Sequence, residues 1–387
     1  MPDYDYIIAG AGAAGLSLAY HLMLSPLRER RILIIDKDDD DQLNRNWGFW
    51  TNQPTLFDRV VHHTWRQIDF VSTSFQRRYG LGDYEYKLMH GANFYNYAVS
   101  QLQACPNITF VRGVVQGVED AEDTARVTVG ENAHTGGIVF DSVVRFGGLK
   151  QQIAGHPWLR MHFKGWEIKT PTIAFDPRAA RLFDFRTPQD GLMRFFYVMP
   201  YSECHAFVEY TVFSENVLKQ HEYEAAIGAY LTKVLGIQEY DIVSEENGAV
   251  PLTDYPFQRR LGQHVMSIGA KGGRVKCSTG YSFLRIQRDS AAIVRSLLQA
   301  GHPFDVPADP AFNKWCDSLM LRLMRKEGQA IAPVFAALFR HNPIDRIFRF
   351  LDECSSPVET AALIASLPPR RFISPLLSVL SNRQARA

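Results

Sequence analysis

Three glycines near the N-terminus are the first residues with an evident chemical use. Gly10, Gly12 and Gly15 have the spacing G-x-G-x-x-G, and Asp36 follows about 20 residues later. In this pattern the first glycine permits a tight turn, the second lets the backbone approach a pyrophosphate, and the third lets a helix pack closely on a sheet. Free N–H groups at the helix start attract phosphate, and Asp36 can accept a hydrogen bond from a ribose hydroxyl. The pattern predicts a dinucleotide site without separating FAD from NAD.

The elements that must position these residues form one βαβ unit. Residues Tyr6–Ala9 are apolar at successive positions and end at a glycine, which predicts a buried parallel strand. A helix is predicted from about Gly12, and Arg31–Asp36 is predicted to be a second buried strand. The predicted fold class is therefore α/β, with a Rossmann-type nucleotide-binding domain at the N-terminus.

The composition argues against several classes of function. The chain has 387 residues, of which 21% are charged, and its formal net charge of +1 gives no basic field that would favour nucleic acid. The five cysteines form no C-x-x-C pair and no cluster with histidine, which predicts a reducing cytoplasm and no metal site. The N-terminus lacks the features of a secretory signal, and no segment reaches the ~20 apolar residues of a membrane-spanning helix. Any membrane contact is expected to be peripheral.

Two further regions are predicted beyond the βαβ unit. Strand-like segments bounded by turn residues predict a mixed or antiparallel sheet in the middle of the chain. They include Ile108–Val111, Ala125–Val129, Met193–Val198 and Cys204–Val212. From about Pro310 the pattern becomes helical, and one helix is predicted to start with Asn342 as the N-cap residue and Pro343 at the first helical position. The apolar residues of that helix are Ile344, Ile347, Phe348 and Leu351.

Five segments, taken together and in order, resemble the lycopene cyclase family of carotenoid enzymes. They are Trp47–Trp50, His162–Glu167, Phe183–Arg186, Phe207–Thr211 and Gly269–Phe283. The resemblance runs from Asp5 to about Phe372. It implies a lycopene beta-cyclase that binds FAD, needs the flavin reduced by NADPH, and converts the acyclic psi ends of lycopene to beta-ionone rings. The product would be beta-carotene or gamma-carotene, formed without net oxidation or reduction.

The resemblance also implies a domain organisation. Residues 1–150 and 255–305 would form a discontinuous FAD-binding domain, with part of 50–100 belonging either to it or to the second lobe. Residues 151–254 would form a substrate-binding lobe, and residues 306–387 a C-terminal helical region. The fold expected is a Rossmann-type FAD-binding domain with a mixed or antiparallel substrate lobe and a helical C-terminus.

The candidate catalytic acid is Glu209, which falls on the family's F-L-E-E-T motif. The second acidic position of that motif is Tyr210 here, which argues against a mechanism that needs two adjacent carboxylates. Ring formation needs a proton delivered to a double bond, so Glu209 must stay protonated near neutral pH. Burial among Phe207, Tyr210 and Phe213 would favour the protonated form. The alternative is that Glu209 is an ordinary strand glutamate that faces outward. The identity of the acid also stays open between Glu209 and the reduced flavin.

A second flavin contact is expected from the segment that begins at Gly269. Related flavoenzymes often carry a Gly-Asp pair there, but Ala270 follows Gly269 in this chain. Flavin contacts are therefore expected from backbone groups around Gly272, Gly273, Thr279 and Gly280. The alternative is a turn that merely connects sheet to helix.

The expected partners are lycopene or another acyclic carotenoid and a membrane surface, with the protein cytoplasmic and peripherally membrane-associated. The C-terminal helices carry Arg346, Arg349, Arg370 and Arg371, which either lie on anionic headgroups or belong to a helical cap. A set of aromatic residues could line an apolar channel or pack in the core. This set is Trp47, Phe49, Trp50, Trp166, Phe195, Phe196 and Tyr197. No sequence feature indicates an oligomeric state.

Two other functions are compatible with the same dinucleotide motif. An FAD-dependent monooxygenase or a prenyl-chain reductase would share the nucleotide site and would consume reduced flavin, without needing Glu209. A non-catalytic flavin- or carotenoid-binding protein would also lack a role for that carboxyl.

The glycine motif generates a first prediction, which concerns cofactor content. Gly12→Val should yield a folded protein that has lost bound flavin absorbance, because a branched side chain would hold the backbone away from the pyrophosphate. The measurement is the visible spectrum of the purified protein, with circular dichroism as the control for folding. Unchanged flavin content in the variant would contradict the assignment.

Overall fold

The computed structural model describes residues 1–37 and 45–373, and within these residues the strands form three sheets. The strands are β1 Tyr4–Ala9, β2 Ile32–Asp36, β3 Asn46–Thr51, β4 His63–Trp65, β5 Gln67–Val71, β6 Gln76–Gly80, β7 Glu85–His90, β8 Ile108–Arg112, β9 Val115–Asp120, β10 Ala125–Val129, β11 Asn132–Asp141, β12 Trp158–Lys169, β13 Ala180–Asp184, β14 Met193–Ser202, β15 His205–Ser214, β16 Asp241–Thr253 and β17 Val265–Ser267. The helices are α1 Ala13–Met23, α2 Gly91–Gln103, α3 Phe146–Gln152, α4 Gln220–Ala229, α5 Phe283–Ala300, α6 Ala311–Glu327, α7 Ile331–His341, α8 Ile344–Leu351 and α9 Pro357–Ala365.

The first sheet has seven strands and contains the predicted βαβ unit. Its order is β8-β2-β1-β11-β10-β9, with β17 paired to β11. Strands β8, β2, β1, β11 and β17 are parallel, and β9 and β10 are antiparallel additions. In β1, Ile7 and Ile8 are both fully buried and belong to different core clusters on the two faces of the sheet. Burial on both faces explains the continuous apolar sequence of this strand, and the prediction of a Rossmann-type unit is confirmed.

The second sheet also has seven strands, in the order β16-β12-β15-β14-β13-β5-β6. Every pairing in it is antiparallel except that of β13 with β5. One face packs against helices α6 to α8, and the other face packs against α4. The predicted mixed sheet is confirmed for β14 and β15, and residues 67–80, carried by β5 and β6, also belong to it. The predicted segments Ile108–Val111 and Ala125–Val129 instead belong to the first sheet, as β8 and β10. A small sheet of β3, β7 and β4 completes the three.

The C-terminal helical region is confirmed over the described residues, although one helix start differs from the prediction. Helix α8 begins at Ile344 with Pro343 at its N-cap, one position later than predicted. The side chain of Asn342 does not cap α8, because its amide donates to the Leu338 carbonyl at 2.9 Å and to Ser366 Oγ at 2.8 Å. Asn342 therefore joins the end of α7 to the end of α9. Residues 374–387 of the predicted region lie outside the described residues.

Three of the four arginines proposed for membrane contact have partners inside the protein. Arg349 donates to Glu359 and lies 2.8 Å from an oxygen of Asp345. Arg346 donates to Asn342 Oδ1 at 3.3 Å. Arg371 lies 3.5 Å from Glu327. Among the described residues, no helix is both long enough and apolar enough to cross a membrane.

Candidate active site

The predicted glycines surround the N-terminus of α1, where the chain leaves β1. Gly10 has φ +99°, a left-handed conformation that disfavours other residues. A Cβ on Gly15 would lie 1.9 Å from the Gly10 carbonyl oxygen, so the helix packs directly on the turn. Gly12 is the N-cap residue of α1, and neither a capping side chain nor an acidic residue occupies its first turn. The first N–H groups of α1 are therefore available to an anion.

Asp36 lies beside this turn, at the end of β2. Its carboxylate accepts a hydrogen bond from the N–H of Ala11. Asp36, Gly10 and Gly12 all line one cavity of about 690 Å³. The structure thus brings the predicted pyrophosphate turn and the predicted ribose acceptor together.

The segment Gly269–Gly280 approaches the same turn from the other side. Gly269 has φ +59°, and a Cβ there would lie 2.6 Å from Ala14 Cβ, so only glycine fits beside α1. Gly269 and Gly280 line the cavity. Gly272, Gly273 and Thr279 form the turns behind this wall and are not among its lining residues. Of the five predicted flavin contacts, two are thus on the cavity wall, and the flavin contacts stay predictions.

The cavity extends from the glycine turn to the second sheet, and its wall is largely aromatic. Of the predicted aromatic set, Trp47, Phe49, Trp50 and Tyr197 line it. Trp166 and Phe196 point to the opposite face of the second sheet, towards α4, and Phe195 lies in the core on the near side. Strand alternation separates Phe196 from Tyr197, because neighbouring strand residues point to opposite faces.

Glu209 lies on β15 and faces this cavity. The exposed part of the Glu209 side chain faces the cavity, and protein surrounds the rest of it. Burial raises the pKa of Glu209 to about 7, while the Thr211 hydroxyl opposes the rise by donating to Oε1 at 2.6 Å. The predicted burial is therefore present, and the carboxyl is half protonated near neutral pH.

One neighbour predicted for Glu209 is wrong. Phe207 and Phe213 lie with the cluster on the cavity side of the sheet, as expected for residues two and four positions away. Tyr210 points to the opposite face, where its ring stacks on Phe196 at 4.8 Å. An acidic residue at position 210 would not place a second carboxylate beside Glu209, because the side chain at that position points to the opposite face of the strand.

Three tyrosines complete the surroundings of Glu209. Tyr197 is its register partner on β14, and the Tyr197 and Tyr281 hydroxyls lie 3.0 Å apart. Tyr86 is fully enclosed, and its hydroxyl contacts the Met199 sulfur at 4.0 Å. Burial raises the pKa of all three phenols, so they are neutral near pH 7. Their polar atoms and ring faces, rather than charges, surround the carboxyl.

Sequence reasoning missed a second buried carboxyl, that of Glu246 on β16. Gly165 of β12 pairs with Glu209 on one side and with Glu246 on the other. Glu246 is 3% exposed, and it accepts a hydrogen bond from the Asn46 N–H at 2.8 Å and another from the Asn46 side-chain amide. The neighbouring Glu245 is exposed and pairs with Lys164 at 2.6 Å. In the sequence these two glutamates look alike, and only the strand pairing shows which is buried.

Comparisons with known proteins agree with the sequence resemblance. A family model described as "Lycopene cyclase protein" matches residues 5–377. A protein named neoxanthin synthase, chloroplastic, from Solanum tuberosum is 26% identical over 311 residues, which cover 73% of this chain. The chain spans 58% of the length of that relative.

Solved structures with low sequence identity share the fold. A flavoprotein/dehydrogenase from Cytophaga hutchinsonii has a TM-score of 0.63 at 12% identity and covers 99% of this chain and 100% of its own. A geranylgeranyl bacteriochlorophyll reductase-like protein from Thermoplasma acidophilum has a TM-score of 0.60 at 11% identity and covers 94% and 95%. The architecture of the whole described chain is therefore one that these proteins share.

The hydrogen bond from Thr211 generates a prediction about the protonation of Glu209. Thr211→Val keeps the shape of a buried side chain and removes the donor that favours the carboxylate. The pKa of Glu209 should rise above about 7, by about one unit, which corresponds to the loss of one charge-assisted hydrogen bond. The measurement is the pH dependence of the protonated carboxyl band in the infrared, assigned by its loss in Glu209→Gln. A fall in this pKa would contradict the geometry.

Proposed function

The chain belongs to the lycopene cyclase protein family, and we propose that it converts the acyclic psi ends of lycopene to beta-ionone rings, giving beta-carotene or gamma-carotene. The observation that carries the proposal is Glu209, a buried carboxyl with a pKa of about 7 at the wall of an aromatic cavity. A cyclase needs an acid that is still protonated near neutral pH in a place from which water is excluded. The pKa of Glu209 meets the first requirement, and the aromatic wall of the cavity supports the second.

In the proposed reaction, Glu209 donates its proton to the terminal double bond of the carotenoid. A neighbouring double bond attacks the resulting cation and closes the ring, and the loss of one ring proton gives the product. Protons gained and lost are equal in number, so the reaction has no net redox change. The Glu209 carboxylate left by the first step can accept the last proton, because one residue can act as acid and then as base.

The cation formed on the way must be stabilised without water, which would trap it as an alcohol. Ring faces of Trp50, Tyr86, Tyr197 and Tyr281 line the cavity. A desolvated aromatic face contributes ~2 kcal/mol to a cation beside it. The hydroxyl contact between Tyr197 and Tyr281 holds two of these rings relative to each other.

We propose that the dinucleotide is FAD, reduced by NADPH. The turn at Gly10–Gly15, the uncapped start of α1 and the Asp36 carboxylate fit a pyrophosphate and a ribose, and Gly269 and Gly280 offer backbone groups on the opposite wall. A Cβ at Gly15 would clash with the Gly10 carbonyl and one at Gly269 with Ala14, so glycine at both positions keeps the two walls close together. When bound, the reduced flavin would supply negative charge that stabilises a nearby cation.

The division into domains stays part of the proposal. Residues 1–150 and 255–305 would hold the flavin, residues 151–254 would bind the carotenoid, and residues 306–387 would cover it. The assignment of β5 and β6 to the second sheet supports giving residues 67–80 to the substrate lobe. Cavity-lining residues from both sheets support a reaction centre between them.

We also propose a peripheral membrane contact on the cytoplasmic side, where an apolar carotenoid would be collected. The five cysteines are free, which fits a reducing compartment. Helix α9 exposes two apolar residues, Val358, which is 79% exposed, and Ile364, and Arg370 in the segment after the helix is also exposed. Exposed apolar residues together with arginine are found in segments that lie on anionic headgroups.

The membrane proposal predicts the effect of two charges on α9. Val358→Asp with Ile364→Asp should weaken binding to vesicles of anionic lipid about tenfold or more, because two apolar side chains no longer enter the interface. Flotation with vesicles is the measurement. Ile173→Asp, at another exposed apolar residue, is the matched control and should bind as the unmodified protein does. Equal binding by the double variant would support a packed helical cap instead.

The catalytic proposal predicts the effect of neutralising Glu209. Glu209→Gln should lower the cyclisation rate by about 10²–10⁴-fold, as expected for loss of a general acid. The measurement is carotenoid product analysis from lycopene-accumulating cells. Tyr210→Phe is the control, since Tyr210 faces away from the cavity, and it should cyclise normally.

A second arm of the same experiment separates the rival functions. Purified protein under anaerobic conditions should cyclise many lycopene molecules per NADPH oxidised. One NADPH consumed per product would indicate a reductase, and a requirement for oxygen would indicate a monooxygenase. Unchanged cyclisation in Glu209→Gln would assign the acid to another group.

A further inference from the structure

Two buried carboxyls share one row of the second sheet. Glu209, Gly165 and Glu246 are register partners on three neighbouring strands, so both glutamate side chains point to the same face. With strands ~4.8 Å apart, their Cα atoms lie about 10 Å apart. Gly165 contributes no side chain between them, and a Cβ there would lie 2.2 Å from the ring of Phe207. A phenyl ring therefore covers the position between the two carboxyls, where a polar side chain or water would otherwise screen them.

The hydrogen bonds on the two carboxyls differ in number. Both oxygens of Glu246 accept N–H groups of Asn46, one from the backbone and one from the side chain. The amide orientation of Asn46 is fixed from behind, because its Oδ1 lies 2.8 Å from His90 Nδ1, which must then be the donor. Within the described part of the chain, Glu209 accepts one hydrogen bond, from Thr211 to Oε1. Donors to both oxygens favour the charged form of Glu246, whereas Glu209 has no described donor on Oε2, the oxygen that could carry a proton.

Resting on the proposed function, we propose that Glu246 is a positioning residue that keeps the catalytic proton on Glu209. As a carboxylate held by Asn46, it opposes a second negative charge in the same apolar row. Glu209 therefore holds the proton until the carotenoid accepts it. This pair takes the place of two adjacent acidic residues in one strand, which strand alternation would point to opposite faces.

Burial and hydrogen bonding act in opposite directions on Glu246, and the division of roles rests on the N–H donors to both of its oxygens. Burial raises the pKa of both carboxyls, and the charge of Glu209 raises that of Glu246 further. The two Asn46 donors and Arg45 lower the pKa of Glu246. Two like charges in a low dielectric do not both ionise, so the pair retains one proton near neutral pH.

Among the other described groups near the pair, Arg45 and Glu167 carry charge, and Arg45 lowers the pKa of Glu246. Glu209 is near the phenols of β7, β14 and the segment before α5, and near the Thr211 hydroxyl on its own strand. Glu246 is near Arg45, Asn46 and Tyr201, and His90 lies behind Asn46. Burial raises the pKa values of four phenols, Tyr86, Tyr197, Tyr281 and Tyr201. Burial lowers the pKa of His90. Arg45 is exposed and lies on the Glu246 side.

The test is the pH profile of cyclisation in variants of Glu246. Activity that requires protonated Glu209 falls as pH rises through the pKa of that group. Glu246→Gln removes the opposing charge, so this alkaline limb should move to lower pH by about one unit. Glu246→Asp keeps the charge, so its alkaline limb should lie close to that of the unmodified protein. Glu245→Gln, on the opposite face and paired with Lys164, is the matched control and should leave the limb in place.

A second readout does not depend on activity. The infrared band of the protonated Glu209 carboxyl should titrate at lower pH in Glu246→Gln than in the unmodified protein. Asn46→Ala gives an independent variant with the pair intact: loss of the side-chain donor should move the proton towards Glu246 and shift the limb in the same direction.

The results separate the role of Glu246 from the proposed function. A limb that stays in place or moves to higher pH in folded Glu246→Gln and Asn46→Ala would overturn the role of Glu246. If Glu246→Gln fails to fold, Asn46→Ala and Glu246→Asp carry the test alone. Failure of the unmodified protein to cyclise would refute the proposed function, whereas the infrared titration would still test the coupling of the two carboxyls. Full activity of Glu209→Gln would assign the acid to another group and would overturn the catalytic role of the pair.

Discussion

A carboxyl group enclosed by aromatic rings, with no cation paired to it among residues 1–37 and 45–373, is the constraint on which the rest of this site depends. Glu209 can remain at the cavity wall only by holding a proton for much of the time, because burial penalises its charge. The surrounding phenols of Tyr86, Tyr197 and Tyr281 supply no positive charge that would release that proton. The same burial that costs stability for a carboxylate makes a carboxylic acid available near neutral pH.

The architecture meets this constraint with two sheets and a helical cover. The first sheet ends at the glycine turn and presents the uncapped start of α1 to one end of the cavity. The second sheet presents Glu209 from its near face, and helices α6 to α8 pack on that face to complete the apolar core. Trp50 stacks on Phe348 of α8 at 4.7 Å, so the C-terminal region directly supports the cavity wall. The reactive carboxyl and the nucleotide turn therefore depend on segments far apart in the chain.

The sequence predicts well what is encoded locally. The βαβ unit follows from a continuous apolar run, a glycine turn and an acidic strand end, and each of these lies within a few residues of the element it specifies. Glu209 was found through its motif. Glu246 was not found, because its burial depends on pairing between β12 and β16, which lie about 80 residues apart in the sequence. The faces of Tyr210, Trp166 and Phe196 depend on register in the same way, and Asn342 leaves its predicted capping role because Ser366 offers it a tertiary partner.

The claim that a buried, protonated Glu209 drives ring closure is tested most directly by the pH dependence of the single-turnover cyclisation rate in the unmodified protein. The account predicts a rate that is constant at acidic pH and falls as pH rises past about 7, where Glu209 loses its proton. A rate that is unchanged across this range, or that rises with pH, would contradict it.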